Sequence, residues 1–361
     1  MTVEEYYLGF SCSYCIGPRR FAVLLSRFGD LESAYHAPVA ELRTLFGARI
    51  AAHFELFRRK FLPSEIRKRC DAAEIRSLHR EHPDYPSSLK HLSDPPLVVF
   101  IRGGERIPAE KDPSIAIVGT RRPTSYGRSL ATDFSRELSR QGVPIVSGLA
   151  YGIDATAHTA ALENSGVTIA VLGSGVDAPY PNGNISLANK IIEYGGILIS
   201  EYPPGTPPRK FHFVQRNRII AALSRGVLVV EGTASSGALI TAEFALQLGR
   251  EVYVAPMPLN SELSVAPNSL ARNGATVVYD PSDILHDLGC VNISSPGAKF
   301  TGKEGTEMYR LRKVLLRQPA TLTDLAAETG LPVSGLAVVL TEMELSGVVI
   351  RGSDGAYRAV T

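Results

Sequence analysis

The segment GLAYGIDATAHTAAL, residues 148–162, carries two side chains that could perform acid–base chemistry. Asp154 and His158 are four positions apart, so on a helix they would share a face and could transfer a proton or ligate a metal. An aspartate at such a position more often caps the helix or interacts with its dipole, and a nearby histidine often only packs. We therefore interpret the segment as a backbone-shaping turn beside an anion site, and we expect no catalytic residue.

A second stretch, RKFHFVQRNR at residues 209–218, interleaves cations with aromatic rings. Cations contact phosphates, and aromatic rings stack on unpaired bases whatever their identity. Because duplex DNA exposes no base faces, this pattern favours single strands. The alternative is that the phenylalanines are core residues and the arginines form a solvated edge. The candidate DNA contacts in this stretch are Lys210, Phe213, Arg216, Asn217 and Arg218.

Loops rich in glycine, serine and threonine follow four of the apolar runs that we predict to be strands. In an open α/β sheet, ligands bind beyond the carboxyl ends of the strands. Backbone N–H groups in such loops and at helix N-termini hold anions, so four of them at one sheet edge predict an anion site. The candidates are Gly119, Thr120, Arg121 and Arg122 after SIAIV, Ser147 and Gly148 after VPIV, Gly173, Ser174 and Gly175 after VTIAVL, and Ser235, Ser236 and Gly237 after GVLVV.

The loop after VTIAVL fits the dinucleotide pattern G-x-G-x-x-A, but its context argues against a nucleotide cofactor. That pattern requires a helix to open within the loop. Here Pro179 and Pro181 follow at once and exclude a helix interior. The P-loop pattern G-x-x-x-x-G-K-[ST] is also absent, and Ser235 and Ser236 lie in no G-x-S-x-G elbow. We predict no cofactor.

Composition narrows the class further. The 361-residue chain has no apolar run that approaches a membrane span, and its start, MTVEEYYLGF, lacks a basic leader, so we expect a cytoplasmic protein without a membrane partner. Its four cysteines include a single C-x-x-C, Cys12 and Cys15, and zinc would need a second pair, so we predict no metal site. Residues 1–80 hold 13 Lys/Arg against 9 Asp/Glu, but residues 81–303 hold 19 against 20, so nucleic acid would bind only at local clusters.

The elements that would position these residues fall into three parts. Residues 1–80 read as short helices after glycine turns, similar to a SAM-like helix-hairpin-helix domain. Residues 81–290 alternate strands and helices, which predicts an α/β, doubly wound, mostly parallel sheet. Residues 291–304 form a polar linker, and residues 305–361 read as three helices and a hairpin turning at 353–355, a winged helix.

The predicted recognition helix of the winged helix, PVSGLAVVLTEMELSG, holds two glutamates and no Lys, Arg, Asn or Gln. DNA-reading helices carry such residues. We therefore expect this domain to pack or to bind protein rather than to read DNA.

Six ordered motifs within residues 112–280 resemble the DNA processing protein A family, also called DprA or Smf: AIVGTRRPTSYG, IVSGLAYGIDATAH, AVLGSGVDAPYP, ISEYPPGTPP, RNRIIAALS and VEGTASSGALITA. The resemblance implies an extended Rossmann-like domain that binds single-stranded DNA and forms a homodimer. It also implies a non-enzymatic role in competence and DNA recombination. Such proteins protect incoming strands and load the RecA recombinase during natural transformation.

Carried over by motif, the resemblance implies that Arg121 holds a DNA phosphate and that Lys210 and Phe213 contact the strand. Arg216 and Arg218 fall in the family's Arg-Asn-Arg run. The sequence departs from the family pattern at Tyr151, where arginine is usual, at Val214 in place of proline, and at Met257 in place of glycine.

Two other function classes remain open from the residues. One is a nucleotide-binding enzyme of the phosphoribohydrolase type, which carries P-G-G-x-G-T-x-x-E, whereas the comparable loop here, EGTASSGALITAE, lacks that glycine pair. The other is an interaction scaffold, which would leave four anion-ready loops unexplained.

Overall fold

The computed structural model describes residues 1–105, 107–290, 306–316, 320–345, 348–351 and 355–359. The chain divides into two compact units, Met1–Cys290 and Val291–Thr361. The predicted linker at residues 291–304 lies outside the described residues. No described helix is long and apolar enough to cross a membrane, and the described residues contain no cluster of three or more metal-ligating side chains.

The first unit begins with six helices, as predicted for residues 1–80. They are α1 Val3–Cys12, α2 Pro18–Phe28, α3 Leu31–Tyr35, α4 Val39–Phe46, α5 Ala48–Lys60 and α6 Pro63–Ala72. Interlocking rings fill the space between them, with the Phe10 ring 5.0 Å from that of Phe21 and 5.2 Å from that of Tyr35. Gly47 precedes α5 at φ 85°, a backbone conformation that favours glycine, as the predicted glycine turn requires.

A nine-stranded sheet follows, in the order β1-β2-β6-β5-β4-β3-β7-β8-β9. The strands are β1 Ile75–His79, β2 Val98–Gly103, β3 Ile115–Val118, β4 Ile145–Ser147, β5 Thr168–Val171, β6 Ile197–Ser200, β7 Gly226–Val229, β8 Glu251–Val254 and β9 Thr276–Val277. In this spatial order, every pair of neighbouring strands from β6 across the sheet to β9 is parallel. Strand β2 is antiparallel to both of its neighbours, β1 and β6. The predicted mostly parallel α/β fold is therefore confirmed.

Helices lie between the parallel strands and after the last of them, β9. They are α7 Ser125–Arg140, α8 Ile153–Glu163, α9 Ile185–Glu193, α10 Lys210–Ala222, α11 Gly237–Gln247, α12 Val265–Arg272 and α13 Pro281–Asp287. The central strands are buried on both faces, since β3, β5, β6 and β7 contain no exposed residue. This is why these strands read as continuous apolar runs rather than as alternating patterns.

The helical region and the sheet share a hydrophobic core. Phe10 and Phe21 of the helices belong to the same buried cluster as Phe100 of β2 and Leu198 of β6. The first strand already begins at Ile75, before the predicted boundary between residues 80 and 81. Residues 1–290 therefore pack as one compact unit, and a cut at residue 80 would expose aromatic side chains.

The second unit contains α14 Glu307–Leu315, α15 Leu322–Thr329, α16 Val333–Leu345 and the antiparallel strands β10 Val349–Arg351 and β11 Tyr357–Ala359. Leu311, Leu325, Leu336 and Leu340 form its core. Three helices and a two-stranded wing match the predicted winged helix. Of the predicted hairpin turn, residues 353 and 354 lie outside the described residues.

Candidate functional site

The four glycine-rich loops lie together at one edge of the sheet. Strands β5, β4, β3 and β7 are consecutive neighbours and run parallel, so the loops at their carboxyl ends are adjacent, as predicted. A groove of about 920 Å³ opens at this edge. The predicted residues that line it are Gly119, Thr120, Arg121, Arg122, Lys210, Phe213, Arg216, Asn217, Ser236 and Gly237.

An aromatic and cationic wall forms one side of this groove. The guanidinium carbon of Arg121 lies 5.9 Å from the centre of the Phe213 ring, and the Tyr180 ring lies 5.5 Å from Phe213. Lys210 begins α10, so Lys210 and Phe213 lie one turn apart on the same helix face. The wall thus offers an aromatic stacking surface flanked by cations. Tyr180 was not predicted, although an aromatic residue between two prolines beside a glycine loop was a usable signal.

A buried carboxylate fixes the loop that carries Arg121. Glu231, just after β7, accepts hydrogen bonds from the backbone N–H of Thr124 at 2.9 Å and from the Thr124 hydroxyl at 2.6 Å. The Thr120 N–H donates to the carbonyl oxygen of Glu231 at 2.7 Å. A Cβ on Gly127 would overlap the Glu231 carboxylate, so glycine is required at that position. Sequence reasoning missed Glu231, which ties two loops together and leaves Arg121 exposed.

The Asp154/His158 pair shapes the second loop. One Asp154 carboxylate oxygen accepts from the N–H groups of Gly148 at 3.1 Å and Ala150 at 3.3 Å. His158 Nε2 accepts from the Leu149 N–H at 3.3 Å, and His158 Nδ1 lies 2.6 Å from the Thr168 hydroxyl. Burial lowers the pKa of His158 to about 3 and raises the pKa of Asp154. Both side chains hold the backbone of the turn, which confirms the interpretation from sequence.

Arg216 lies in the floor of the groove. Its guanidinium is buried and donates to the carbonyl oxygens of Gly148, at 2.6 Å, and of Val171. Burial lowers the pKa of Arg216 to about 10, against the opposing effect of Asp154. Its Nε has no hydrogen-bond partner in the described part of the chain. Arg216 therefore links the carboxyl ends of β4 and β5 through these buried hydrogen bonds, and it adds positive charge beneath the groove.

Comparison with known proteins identifies the family. Residues 76–289 match the family "DNA recombination-mediator protein A", and residues 309–355 match the DprA winged helix domain. The chain belongs to the DprA/Smf family. The DNA processing protein DprA of Bacillus subtilis is 44% identical over 204 residues, covering 56% of this chain and 68% of that protein. The protein Smf of Escherichia coli is 38% identical over 281 residues, covering 76% of this chain and 75% of that protein.

Two solved structures of DNA processing protein A are similar to this DprA/Smf member. The X-ray structure from Streptococcus pneumoniae superposes with a TM-score of 0.68 at 32% identity, covering 80% of this chain and 99% of that one. The Helicobacter pylori structure, which concerns the single-stranded DNA binding mode of that protein, has a TM-score of 0.54 at 30% identity. It covers 60% of this chain and 95% of the other.

Arg218 does not reach the groove of this DprA/Smf member, contrary to prediction. Two residues beyond Arg216, it points about 200° away around α10. Its side chain is 5% exposed and pairs with Glu201 at 2.6 Å and Asp94 at 3.2 Å. Burial raises the pKa of Glu201, and the Arg218 charge opposes that rise. Arg218 is thus part of a buried ion pair rather than a free cation.

Six further predicted residues also lie outside the groove lining: Ser147, Gly148, Gly173, Ser174, Gly175 and Ser235. The buried hydroxyls of Ser147 and Ser174 donate to the carbonyl oxygens of Ile117 and Ala178. A Cβ on Gly173 would meet the Phe213 ring at 2.8 Å, so this glycine makes room for the aromatic wall. The first five of these residues are buried and shape the groove from behind, whereas Ser235 is exposed.

Other residues of the groove lining have a different chemistry from the Phe213 wall. They carry the hydroxyl groups of Thr233, Ser236 and Thr241 and the exposed carboxylate of Glu262. Glu262 has no ion-pair partner among the described residues. Of these residues the sequence predicted Ser236 but not Glu262, because Glu262 comes from the segment after β8, which carries no glycine-loop signal. The groove lining therefore combines a cationic, aromatic wall with hydroxyl groups and a carboxylate.

Proposed function

We propose that this DprA/Smf member binds single-stranded DNA in the groove at the carboxyl edge of its sheet. The observation that carries the proposal is the wall made by Arg121, Phe213 and Tyr180, with Lys210 beside it. Rings at this spacing can stack on unpaired bases, while the two cations hold the phosphates on either side. The Helicobacter pylori relative, whose structure concerns its single-stranded DNA binding mode, supports the same assignment.

A preference for single strands over duplex follows from the chemistry of the groove. Bases in a duplex are stacked on one another and cannot stack on Phe213 or Tyr180. The charge of residues 81–303 is balanced, with 19 Lys/Arg against 20 Asp/Glu, so there is no excess charge to hold a duplex along its length. The helix α16 also carries no Lys, Arg, Asn or Gln with which to read a major groove.

We propose a binding role and not a catalytic one. The only acid–base pair singled out in the sequence, Asp154 and His158, holds the backbone of a turn. In our proposal the protein protects incoming single strands and loads the RecA recombinase on them during natural transformation and recombination. The family description, a recombination mediator, supports that role. A binder that ignores base identity suits it, because incoming DNA has no fixed sequence.

We also propose a homodimer formed through the sheet domain. The sheet ends at β9, a strand of two residues, and edge strands are templates for pairing with another chain. Val277 in this strand and Tyr279 just beyond it are exposed. In sedimentation velocity the wild-type chain should run as a dimer, and Tyr279→Glu should shift it toward the monomer. A wild-type chain that remains monomeric at micromolar concentration would contradict this proposal.

The test of single-strand binding is fluorescence anisotropy with a labelled 20-nucleotide oligo(dT) and with a duplex of equal length. We expect tighter binding to the single strand, with a log–log salt slope of about −0.7 for each phosphate contact. Equal affinity for the duplex, or an affinity that does not change with salt, would refute the proposal.

Arg140→Ala is the matched control for Arg121→Ala in this assay. Arg140 is an exposed arginine at the far end of the 16-residue helix α7, about 24 Å from the groove edge. Arg121→Ala should weaken binding and Arg140→Ala should not. Equal losses would indicate a nonspecific effect of net charge.

A further inference from the structure

We propose that the path of the single strand continues from the groove onto the N-terminal helices. The inference rests on the proposed single-strand binding and extends it to a second surface. That surface, here named the Tyr14 patch, consists of Tyr14, Arg20, Arg69, Arg209 and Phe211, all of which are exposed. Residues from α2, α6, the start of α10 and the turn after α1 make it up.

Direct contacts hold the two regions together at this patch. The Tyr14 hydroxyl lies 3.0 Å from the Thr206 hydroxyl, which belongs to the connection between β6 and α10. The Arg69 guanidinium lies 3.0 Å from the position that a Cβ on Gly205 would occupy. Arg20 donates from Nη1 to the carbonyl oxygen of Cys15 at 2.8 Å, beside Tyr14. Arg69 of α6 therefore lies at the β6–α10 connection, and Arg20 of α2 contacts the backbone next to Tyr14.

The same connection leads into the groove. From Thr206 the chain passes through Pro207 and Pro208 to Arg209 and then Lys210, which lines the groove. Four residues span at most about 14 Å. A strand bound at Lys210 thus needs only a short further length to reach Arg209, Arg69 and Tyr14.

The aromatic residues of the patch are presented to solvent rather than packed. Tyr14 is 66% exposed, and its φ of 50° is uncommon for a tyrosine. Phe211 is 54% exposed, and its one ring neighbour among the described residues is His212, in an edge-on contact at 4.4 Å. Exposed rings interleaved with cations form the platform on which unpaired bases stack.

The cations of the patch are free to bind phosphate. Arg20, Arg69 and Arg209 have no ion-pair partner among the described residues, whereas Arg67 on the same helix as Arg69 is held by Glu4 and Glu5. The carboxylate of Asp177 also lies at the patch, beside Gly205. Its two oxygens accept from the Gly205 N–H at 3.0 and 2.8 Å, so it is engaged with the backbone. A polyanion is the ligand that this set of residues fits.

Oligonucleotides of two lengths distinguish binding at the Tyr14 patch from binding in the groove. Full-length protein is titrated by anisotropy with labelled oligo(dT) of 6 and of 20 nucleotides. We expect Tyr14→Ala to weaken binding of the 20-mer about five-fold or more, the loss typical of one stacked base, and to leave the 6-mer unchanged. Arg69→Ala should reduce the magnitude of the 20-mer salt slope by about 0.7, the value of one phosphate contact. Tyr194→Ala, at an exposed tyrosine after α9, is the matched control.

Tyr14→Phe distinguishes stacking from a structural role. It removes the hydroxyl contact to Thr206 and keeps the ring, so 20-mer affinity should be retained. A loss as large as that of Tyr14→Ala would show that Tyr14 only holds the connection in place. Equal losses for both oligonucleotides, or none for either, would overturn the inference while leaving the groove assignment intact. If the wild-type chain bound neither length, the proposed function itself would fail.

Discussion

Arg121 and Arg218 both lie in basic motifs, and the structure gives them opposite roles that substitution should reveal. Arg218→Met removes the positive partner of Glu201, which is largely buried, and keeps the aliphatic part of the side chain. Breaking one side of a buried ion pair costs about 3–5 kcal/mol. Because the second partner, Asp94, is 28% exposed, we expect the lower end of that range. For a unit that spans Met1–Cys290 the conversion is about 1.5–2 °C per kcal/mol, so the melting temperature should fall by roughly 5–6 °C.

Arg121→Ala should have the opposite effects, with little change in stability and a large loss of single-strand affinity. The Arg121 side chain is exposed, and within the described part of the chain its contact is with the Phe213 ring, so the free energy of unfolding should change by no more than about 0.5 kcal/mol. Its proposed contact is a charge-assisted hydrogen bond to phosphate, worth about 1.5–3 kcal/mol. The affinity for a 20-nucleotide single strand should therefore fall about ten- to hundred-fold.

Two measurements on the same preparations distinguish the roles of the two arginines. They are thermal melting by circular dichroism, and anisotropy at a temperature where all variants are folded. Adding Glu201→Gln to Arg218→Met should recover part of the lost melting temperature, since no buried charge is then left unpaired. If Arg218→Met melted like the wild type and lost single-strand affinity as Arg121→Ala does, Arg218 would be a DNA contact and our assignment of the two arginines would be wrong.

Four further substitutions, one of them a control, test the interior and the lining of the groove. Gly148→Ala would place a Cβ 2.5 Å from the Arg216 guanidinium, so we expect a lower melting temperature in circular dichroism and weaker single-strand binding. Gly237→Ala, whose Cβ meets only Asn217 at 3.9 Å, should melt like the wild type, and equal melting of the two variants would refute this packing. His158 stays neutral in the folded state down to a pKa of about 3 but titrates near 6.5 when unfolded, so its contribution to stability is complete above pH 6.5 and is lost as the pH falls. The difference in the free energy of unfolding between wild type and His158→Gln, measured by urea unfolding, should narrow by up to about 2.7 kcal/mol from pH 6.5 to 4.5. A difference that does not change with pH would contradict the buried neutral state of His158. Glu262→Gln should tighten single-strand binding a few-fold at low salt and have no effect at high salt, because it removes a negative charge from the lining of the groove in which we propose that the strand binds. Weaker binding by Glu262→Gln in the anisotropy titration would mean that this carboxylate accepts a hydrogen bond from a base.

The sheet and the position of the groove could be predicted because their signals are local. Apolar runs in the sequence predicted the strands β3, β4, β5 and β7. Because these strands pair in parallel, the loops that follow them lie at one edge of the sheet. The backbone-shaping role of the turn at residues 148–152 was also predicted correctly, because an aspartate just after a glycine loop commonly accepts hydrogen bonds from nearby backbone N–H groups.

The errors came from contacts distant in sequence. The RNR motif was treated as one basic cluster, but α10 begins at Lys210, and its phase turns Arg216 and Arg218 to different sides. Their partners lie far along the chain, as Asp94 does for Arg218, and no spacing rule reveals them. Glu231 was missed for the same reason. The predicted boundary at residue 80 runs through a shared hydrophobic core, because the helices bury their aromatic rings against the sheet, which a change in composition does not show.

Photo-cross-linking tests most directly whether the strand lies in the groove. A single-stranded oligonucleotide that contains 5-iodo-deoxyuridine is bound to the full-length chain, irradiated, digested and mapped by mass spectrometry. Halogenated bases cross-link to rings on which they stack, so the account predicts adducts at Phe213 and Tyr180, and their loss in Arg121→Ala at the same oligonucleotide concentration. Adducts confined to the winged-helix unit, with none in the peptides that contain Phe213 or Tyr180, would contradict it.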